Sequence, residues 1–147
     1  MPKRPGTMPK GALGEVSEDA SEKILKGMPG IGTDIESVAR FEQRPYSENK
    51  EFYFKLFTEE EIRTCLTKPS PAQSFAARFA AKEAIIKAIP SLNLSLKEIE
   101  IEAEAGSPAP AARIRRPGLA KYQIKVSFSH TSDYATAVAL ASQVPED

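Results

Sequence analysis

The stretch "PAQSFAARFAAKEAIIKA", residues 71–88, constrains the fold more than any other part of the chain. It is rich in alanine, Pro71 suits a first helical turn, and Pro90 prevents continuation. The pattern therefore predicts one long helix from about Pro71 to Ile89. Small side chains recur every fourth residue, at Ala76, Ala80, Ala84 and Ala88. Residues four apart share a helix face, so this strip lets another element approach the helix closely.

Alternating segments follow the predicted helix. "IEIEAEA" (99–105) and "IKVSFSH" (124–130) place apolar residues at every second position, which is typical of half-buried strands. "YATAVALA" (134–141) is a further apolar strand, and "HTSD" between the last two is typical of a hairpin turn. The stretch "GSPAPAA" (106–112) predicts a loop. The stretch "ARIRR", which begins at the last residue of that loop, predicts a short strand. Mixed helices and antiparallel strands predict an α+β domain.

Shorter elements are predicted before the long helix. "GIGTDIE" indicates a short strand that ends near Asp34, and Ser37 is a candidate N-cap for a helix over "SVARFEQR". "FYFKLF" (52–57) is an aromatic segment that we expect to be largely buried. Thr58 and Glu61 have the spacing of a capping box at the start of the next helix. Residues 1–27 are rich in Pro, Gly and Lys and predict a flexible extension, so the folded domain is expected over residues 28–147.

Composition excludes several classes of protein. The chain has 20 Lys and Arg against 20 Asp and Glu, so a broad electrostatic footprint for nucleic acid is not expected. An RNA-binding α+β domain would need basic strands with exposed aromatics, whereas "IEIEAEA" is acidic. Cys65 is the single cysteine, which excludes a disulfide framework and a cysteine-rich zinc site. Without a membrane-length apolar run of roughly 20 residues or an apolar secretory signal, no membrane association is expected and a cytoplasmic location is the default expectation.

Candidate chemistry falls in three places. On the long helix, Glu83 and Lys87 are four residues apart on one face; an exposed helix ion pair is the simplest interpretation. Asp34 follows "GIG", whose glycines would let backbone approach a ligand, although an ordinary polar strand end would look the same. His130, the only histidine, ends a predicted strand. It cannot be part of a multi-histidine metal site, but it could contact phosphate or orient a water.

Taken together, "GIGTDIESVARF", "FAARFAAKEAIIKA" and "VSFSHTSDYATAVAL", in this order and spacing, resemble the holo-acyl-carrier-protein synthase family of 4′-phosphopantetheinyl transferases. The resemblance runs from about Gly30 to Ala141 and is most specific in the middle motif. It implies a single-lobe α+β fold, the 4′-phosphopantetheinyl transferase-like fold, with an antiparallel sheet packed on the long helix. At this length it also implies a homotrimer with active sites at subunit contacts.

The implied activity is transfer of the 4′-phosphopantetheine arm of coenzyme A to a serine of an apo acyl carrier protein, with release of adenosine 3′,5′-bisphosphate. Fatty acid biosynthesis is the implied pathway, and Mg²⁺ is the implied cofactor. A transferase of broader specificity, serving carriers of polyketide or peptide synthases, is an alternative enzyme. A coenzyme A-binding module without catalysis is the non-enzyme alternative, and joint retention of Asp34, Glu83 and Lys87 argues against it.

The resemblance also implies roles for individual residues. Asp34 and Glu83 match metal ligands, and Glu36 either binds the metal directly or points away on the strand. Glu83 or a metal-bound water accepts the serine proton, while Lys87 offsets charge on the bridging oxygen or protonates the departing phosphate. Positions near the coenzyme A phosphates and the reacting centre are matched by Arg78, Lys82, Lys87 and His130. Arg40 and Arg44, expected on the short helix after Asp34, match the region that binds the acidic carrier protein.

Overall fold

The computed structural model describes residues 27–103, 110–119 and 121–144, and the predicted N-terminal extension lies almost wholly outside these ranges. The strands are β1 (Gly30–Ser37), β2 (Ile99–Ala103), β3 (Pro110–Ile114), β4 (Tyr122–His130) and β5 (Tyr134–Gln143). The α-helices are α1 (Ala39–Glu42), α2 (Lys50–Leu56), α3 (Glu59–Leu66) and α4 (Pro71–Ala88). Short 3₁₀ turns occupy Tyr46–Glu48, Pro90–Leu92 and Leu96–Glu98. No helix in the described ranges is long and apolar enough to span a bilayer.

The predicted α+β architecture is confirmed. Three strands form an antiparallel sheet in the order β1-β5-β4, and β2 pairs with β3 in a second antiparallel sheet. Helix α4 packs across the larger sheet. The alternating alanines of β5 meet it at Ala135, Ala137, Ala139 and Ala141, all of which are buried. The alternation seen in the sequence therefore gives the sheet one face on the helix and one open face.

Strand β1 comes unusually close to α4. A side chain at Gly30 would overlap the carbonyl oxygen of Ala88, and one at Gly32 would overlap that of Ala84. The two glycines were expected to admit a ligand, and this interpretation is wrong: they admit the helix backbone, on the strip of small residues that α4 presents. This contact fixes Asp34, two residues further along β1, beside the last turns of α4.

Several local predictions need correction. Strand β1 does not end near Asp34 but continues to Ser37, because it keeps its pairing with β5 as far as Tyr134. Ser37 is consequently a strand residue, and the N-cap of α1 is Val38, without a side-chain cap. Arg44 lies beyond α1, which ends at Glu42. The predicted loop over 106–112 instead contributes its last residues to β3, and its first four residues are outside the described ranges.

The aromatic segment lies at the centre of a second core between α2, α3 and the start of α4. Tyr53 and Phe57 are buried there as expected, whereas Phe54 is 40% exposed because it lies on the outer face of α2. The predicted capping box of Thr58 and Glu61 is confirmed, with both reciprocal hydrogen bonds present. Cys65 is buried, and burial raises the pKa of its thiol to about 12, which suits a structural residue.

Candidate active site

Asp34 and Lys87 meet at the edge of the sheet. The ammonium of Lys87 donates to Asp34 Oδ1 at 3.1 Å and to the carbonyl oxygen of Thr33 at 3.0 Å. The side chain of Lys87 is 54% exposed, whereas that of Asp34 is only 12% exposed. Lys87 therefore reaches across to β1 and does not form the simple helix ion pair with Glu83 that its spacing also allowed.

Asp34 has spare capacity to bind a cation. Its Oδ2 atom is buried and has no hydrogen-bond partner in the structure. A buried carboxylate oxygen without a partner is unfavourable, because it has lost its water and received nothing in exchange. Such an atom marks a position where a missing positive group would be stabilised.

Two further carboxylates surround Asp34. Burial raises the pKa of Glu83, and the charge of Asp34 is the next cause of that increase. Burial also raises the pKa of Glu36 to about 7, again with Asp34 as a contributor. The charge of Asp34 raises the pKa of both neighbours after burial, so the carboxyl groups make a locally negative site. A divalent cation bound there would relieve the repulsion.

This arrangement fits Mg²⁺, which accepts oxygen ligands and commonly uses one or two carboxylates with water and phosphate oxygens. Among the described residues there is no preformed group of three or more His, Cys, Asp or Glu side chains with metal-binding geometry. The site is therefore suited to a hydrated ion held by Asp34 and Glu83 and not to an ion enclosed by protein. Glu36 lies between two groups: the Asp34 side chain contributes to its raised pKa, and its Oε2 atom lies 3.4 Å from Arg40 Nη1.

A surface pocket of about 480 Å³ adjoins the Asp34–Lys87 pair. Hydroxyl side chains of β1, β4 and β5 contribute to its wall, at Thr33, Ser127, Ser129 and Thr136. Hydroxyl donors next to a lysine are suitable partners for phosphate oxygens. The sequence signal for these residues was their position between the apolar residues of "VSFSH" and "YATA", which places them on the outward side of the strands.

Lys82 does not belong to this group. Its side chain is completely buried, its ammonium lies 2.5 Å from Glu61 Oε1, and it also donates to the carbonyl oxygens of Leu56 and Leu96. Contact with a coenzyme A phosphate would require breaking this ion pair inside the core. The predicted phosphate contact at Lys82 is therefore replaced by a structural role that links four segments of the chain.

The remaining predicted residues are dispersed around the site. Arg78 is only 6% exposed; its Nη1 atom lies 3.5 Å from the carbonyl oxygen of Ser74, and its Nε atom has no partner. His130 is exposed at the end of β4, opposite Ala135, and is not among the described residues that line the pocket. Two arginines stack on aromatic rings. The guanidinium carbon of Arg40 lies 4.8 Å from the ring centroid of Phe79, and that of Arg44 lies 4.8 Å from that of Phe52.

Comparison with known proteins assigns this chain to a class. Residues 30–139 match the 4′-phosphopantetheinyl transferase superfamily. The chain belongs to this family, as the sequence motifs predicted.

Individual relatives agree with that assignment. The holo-[acyl-carrier-protein] synthase of Chloroherpeton thalassium is 40% identical over 115 residues, which cover 75% of this chain and 94% of that protein. The enzyme of the same name from Chlamydia muridarum is 41% identical over 118 residues, 78% of this chain and 94% of that one. Among solved structures, the Helicobacter pylori holo-[acyl-carrier-protein] synthase in complex with coenzyme A matches with a TM-score of 0.65. It is 30% identical, and the match covers 76% of this chain and 99% of that one.

Proposed function

We propose that this chain is a holo-[acyl-carrier-protein] synthase that uses Mg²⁺, acting in fatty acid biosynthesis. It transfers the 4′-phosphopantetheine group of coenzyme A to a serine of an apo acyl carrier protein. The serine oxygen forms a bond to phosphorus, a pyrophosphate P–O bond breaks, and adenosine 3′,5′-bisphosphate leaves. The observation that carries the proposal is the buried, partnerless Asp34 Oδ2 beside Glu83 and Lys87, in a chain of the transferase family.

Asp34 and Glu83 are the residues that would hold Mg²⁺ in this proposal. When bound, the ion supplies positive charge against the pyrophosphate oxygens. Burial raises the pKa of Glu83, and the charge of Asp34 raises it further. The proton of the attacking serine goes to Glu83 or to a water held at the site.

Lys87 is placed to handle the leaving group. Its ammonium is exposed at the mouth of the pocket and is anchored to β1 by the Thr33 carbonyl oxygen. A cation fixed at that point can neutralise charge that develops on the departing phosphate, or protonate it. Arg78 and His130 are proposed contacts for other phosphates of coenzyme A, and Arg40 and Arg44 for the acidic carrier protein.

The open face of the larger sheet supports the proposed homotrimer. Large apolar side chains cover this face, at Ile31, Ile35, Tyr134, Val138 and Leu140, and each is at least 40% exposed. A contiguous exposed apolar surface of this kind marks an interface. Light scattering coupled to gel filtration should give three times the chain mass, and a monomer at micromolar concentration would contradict the trimer.

Transfer itself is tested by mass spectrometry of the carrier. The protein is incubated with coenzyme A, Mg²⁺ and an apo acyl carrier protein, and the carrier should gain the mass of the phosphopantetheine arm. A carrier whose acceptor serine is replaced by alanine is the matched control and should gain nothing. Absence of the added mass with the intact carrier, across several carriers and with Mg²⁺ or Mn²⁺, would refute the proposed reaction.

A further inference from the structure

The acid at position 36 raises a separate question, because it lies beside Asp34 and also pairs with an arginine outside the carboxylate cluster. Glu36 Oε2 lies 3.4 Å from Arg40 Nη1, an i,i+4 pair that joins the end of β1 to α1. The side chain of Glu36 is 17% exposed and that of Arg40 is 41% exposed. The pair therefore has a buried end at the site and a solvent-facing end.

A second contact holds the same arginine. The guanidinium of Arg40 lies over the ring of Phe79 on α4, with its carbon 4.8 Å from the ring centroid. Phe79 is 5% exposed, so the ring is a fixed part of the core. Arginine thus has an aromatic surface beneath it and a carboxylate at its edge, and these two contacts suit its planar geometry.

Arg44 provides an internal comparison. It also lies over an aromatic ring, that of Phe52, but Phe52 belongs to α2 and no acidic partner of the Arg44 side chain occurs among the described residues. Of the two arginines proposed to bind the carrier, Arg40 alone is held from two sides in the described part of the chain. A long side chain that is already ordered loses less conformational entropy when a partner docks.

We propose that Glu36 is a positioning residue for the carrier protein and not a metal ligand. It holds Arg40 over the Phe79 ring, so that the guanidinium faces an acidic partner at the rim of the active site. The inference rests on the proposed transfer reaction and on docking by Arg40. It assigns Glu36 a role that acts through Arg40, and it connects the carrier surface to the strand that carries Asp34.

The direction in which Glu36→Gln changes carrier affinity distinguishes positioning from a simple charge effect. At a pH above the raised pKa of Glu36, Glu36→Gln removes a negative charge close to the docking surface, so charge alone predicts tighter binding of an acidic carrier. Positioning predicts the opposite, because Arg40 loses its edge contact. An exposed ion pair is worth about 0.2–1 kcal/mol, so the Kd of the carrier should rise by about 1.4- to fivefold. The KM for coenzyme A should stay the same.

A double-mutant cycle shows whether Glu36 acts through Arg40. The carrier Kd is measured for the unaltered protein, Glu36→Gln, Arg40→Ala and the double variant. The effect of Glu36→Gln should disappear in the Arg40→Ala background. Arg40→Lys keeps the charge but lacks the planar fork, so it should recover only part of the affinity. Glu60→Gln is the matched control, since it breaks another exposed ion pair, Arg63–Glu60, on α3.

The outcomes decide the proposal. Weaker carrier binding in Glu36→Gln, cancelled by Arg40→Ala and absent in Glu60→Gln, supports it. Unchanged or tighter carrier binding overturns it. So does a rise of more than about tenfold in the half-saturating Mg²⁺ concentration, measured by direct metal titration, because even the loss of a residue that supports a metal ligand weakens metal binding by about 10- to 100-fold. If the unaltered protein transfers nothing, the proposed reaction fails first, and that result is visible before any variant is compared.

Discussion

Two lysines five residues apart on α4 have opposite environments. Lys82 is completely buried and its ammonium is bound by Glu61 and two carbonyl oxygens. Lys87 is half exposed and shares its ammonium between Asp34 and one carbonyl oxygen. Five residues correspond to about 140° around a helix, so the two ammonium groups lie on different sides of it.

The difference lies in what each pair leaves unsatisfied. Glu61 accepts hydrogen bonds from Thr58 N and Ile101 N as well as pairing with Lys82, so the buried pair is enclosed by partners. Asp34 keeps a buried oxygen without a partner, and it raises the pKa of Glu83. The buried charges of Lys82 and Glu61 are therefore fully paired, which stabilises the fold. The Lys87 side of the helix has an unpaired buried oxygen and a raised carboxyl pKa, which are typical of a ligand-binding site.

Breaking the buried pair should have the largest effect on stability. Lys82→Met keeps the volume but leaves the charge of Glu61 without a counterion, which should cost about 3–5 kcal/mol of unfolding free energy. Chemical denaturation measures this loss. Adding Glu61→Gln should restore part of it, because the uncompensated charge is then removed. A loss below about 1 kcal/mol for Lys82→Met would contradict the structural role.

Lys87→Ala should lower the transfer rate strongly and stability very little. Removing a cation that acts on the departing phosphate should lower kcat by about 10²–10³-fold, by analogy with oxyanion donors. Its exposed ion pair with Asp34 contributes at most about 1 kcal/mol, so the thermal melt should hardly change. Steady-state transfer and a melt on the same sample check both points. A near-normal kcat would remove Lys87 from the mechanism.

Gly32→Ala tests the close contact between β1 and α4, which holds Asp34 beside the helix. The added methyl group would overlap the carbonyl oxygen of Ala84, so β1 must move away from α4 and carry Asp34 with it. Overpacking of this kind costs about 1–3 kcal/mol, and transfer should fall beyond what the stability loss explains. Ser37→Ala, which changes an exposed side chain on the same strand, is the control. Unchanged stability in Gly32→Ala would show that the close approach is not required.

The last expected effect is on the pH dependence of stability. The pKa of Glu36 is raised from its ordinary value of 4.5 to about 7, so the folded state binds this proton more tightly than the unfolded state. The contribution of Glu36 is therefore most favourable below pH 4.5 and is lost as pH rises toward 7. Without divalent ions, the difference in unfolding free energy between Glu36→Gln and the unaltered protein should grow in favour of the variant across that range. A difference that stays constant with pH would contradict the assignment.

The sequence predicted the elements better than their contacts. The limits of α4, the alternation of β4 and β5, and the capping box at Thr58 all follow from local chemistry. Which side of α4 would be buried does not, because its alanines make every face compatible with packing. Hence Lys82 and Lys87 looked alike as phosphate ligands. The role of Gly32 could not be predicted either, because a glycine is required both where a helix and where a ligand approaches the backbone closely.

Asp34→Asn tests the central claim most directly, because the change keeps the shape of the side chain and removes only its charge. Transfer rate, Mg²⁺ affinity by direct titration, and a metal-free thermal melt are measured on one preparation. The account predicts that transfer falls by at least about 10²-fold and Mg²⁺ affinity weakens, while the metal-free melting temperature stays equal or rises as repulsion with Glu83 and Glu36 is relieved. Normal Mg²⁺-dependent transfer in Asp34→Asn would contradict it.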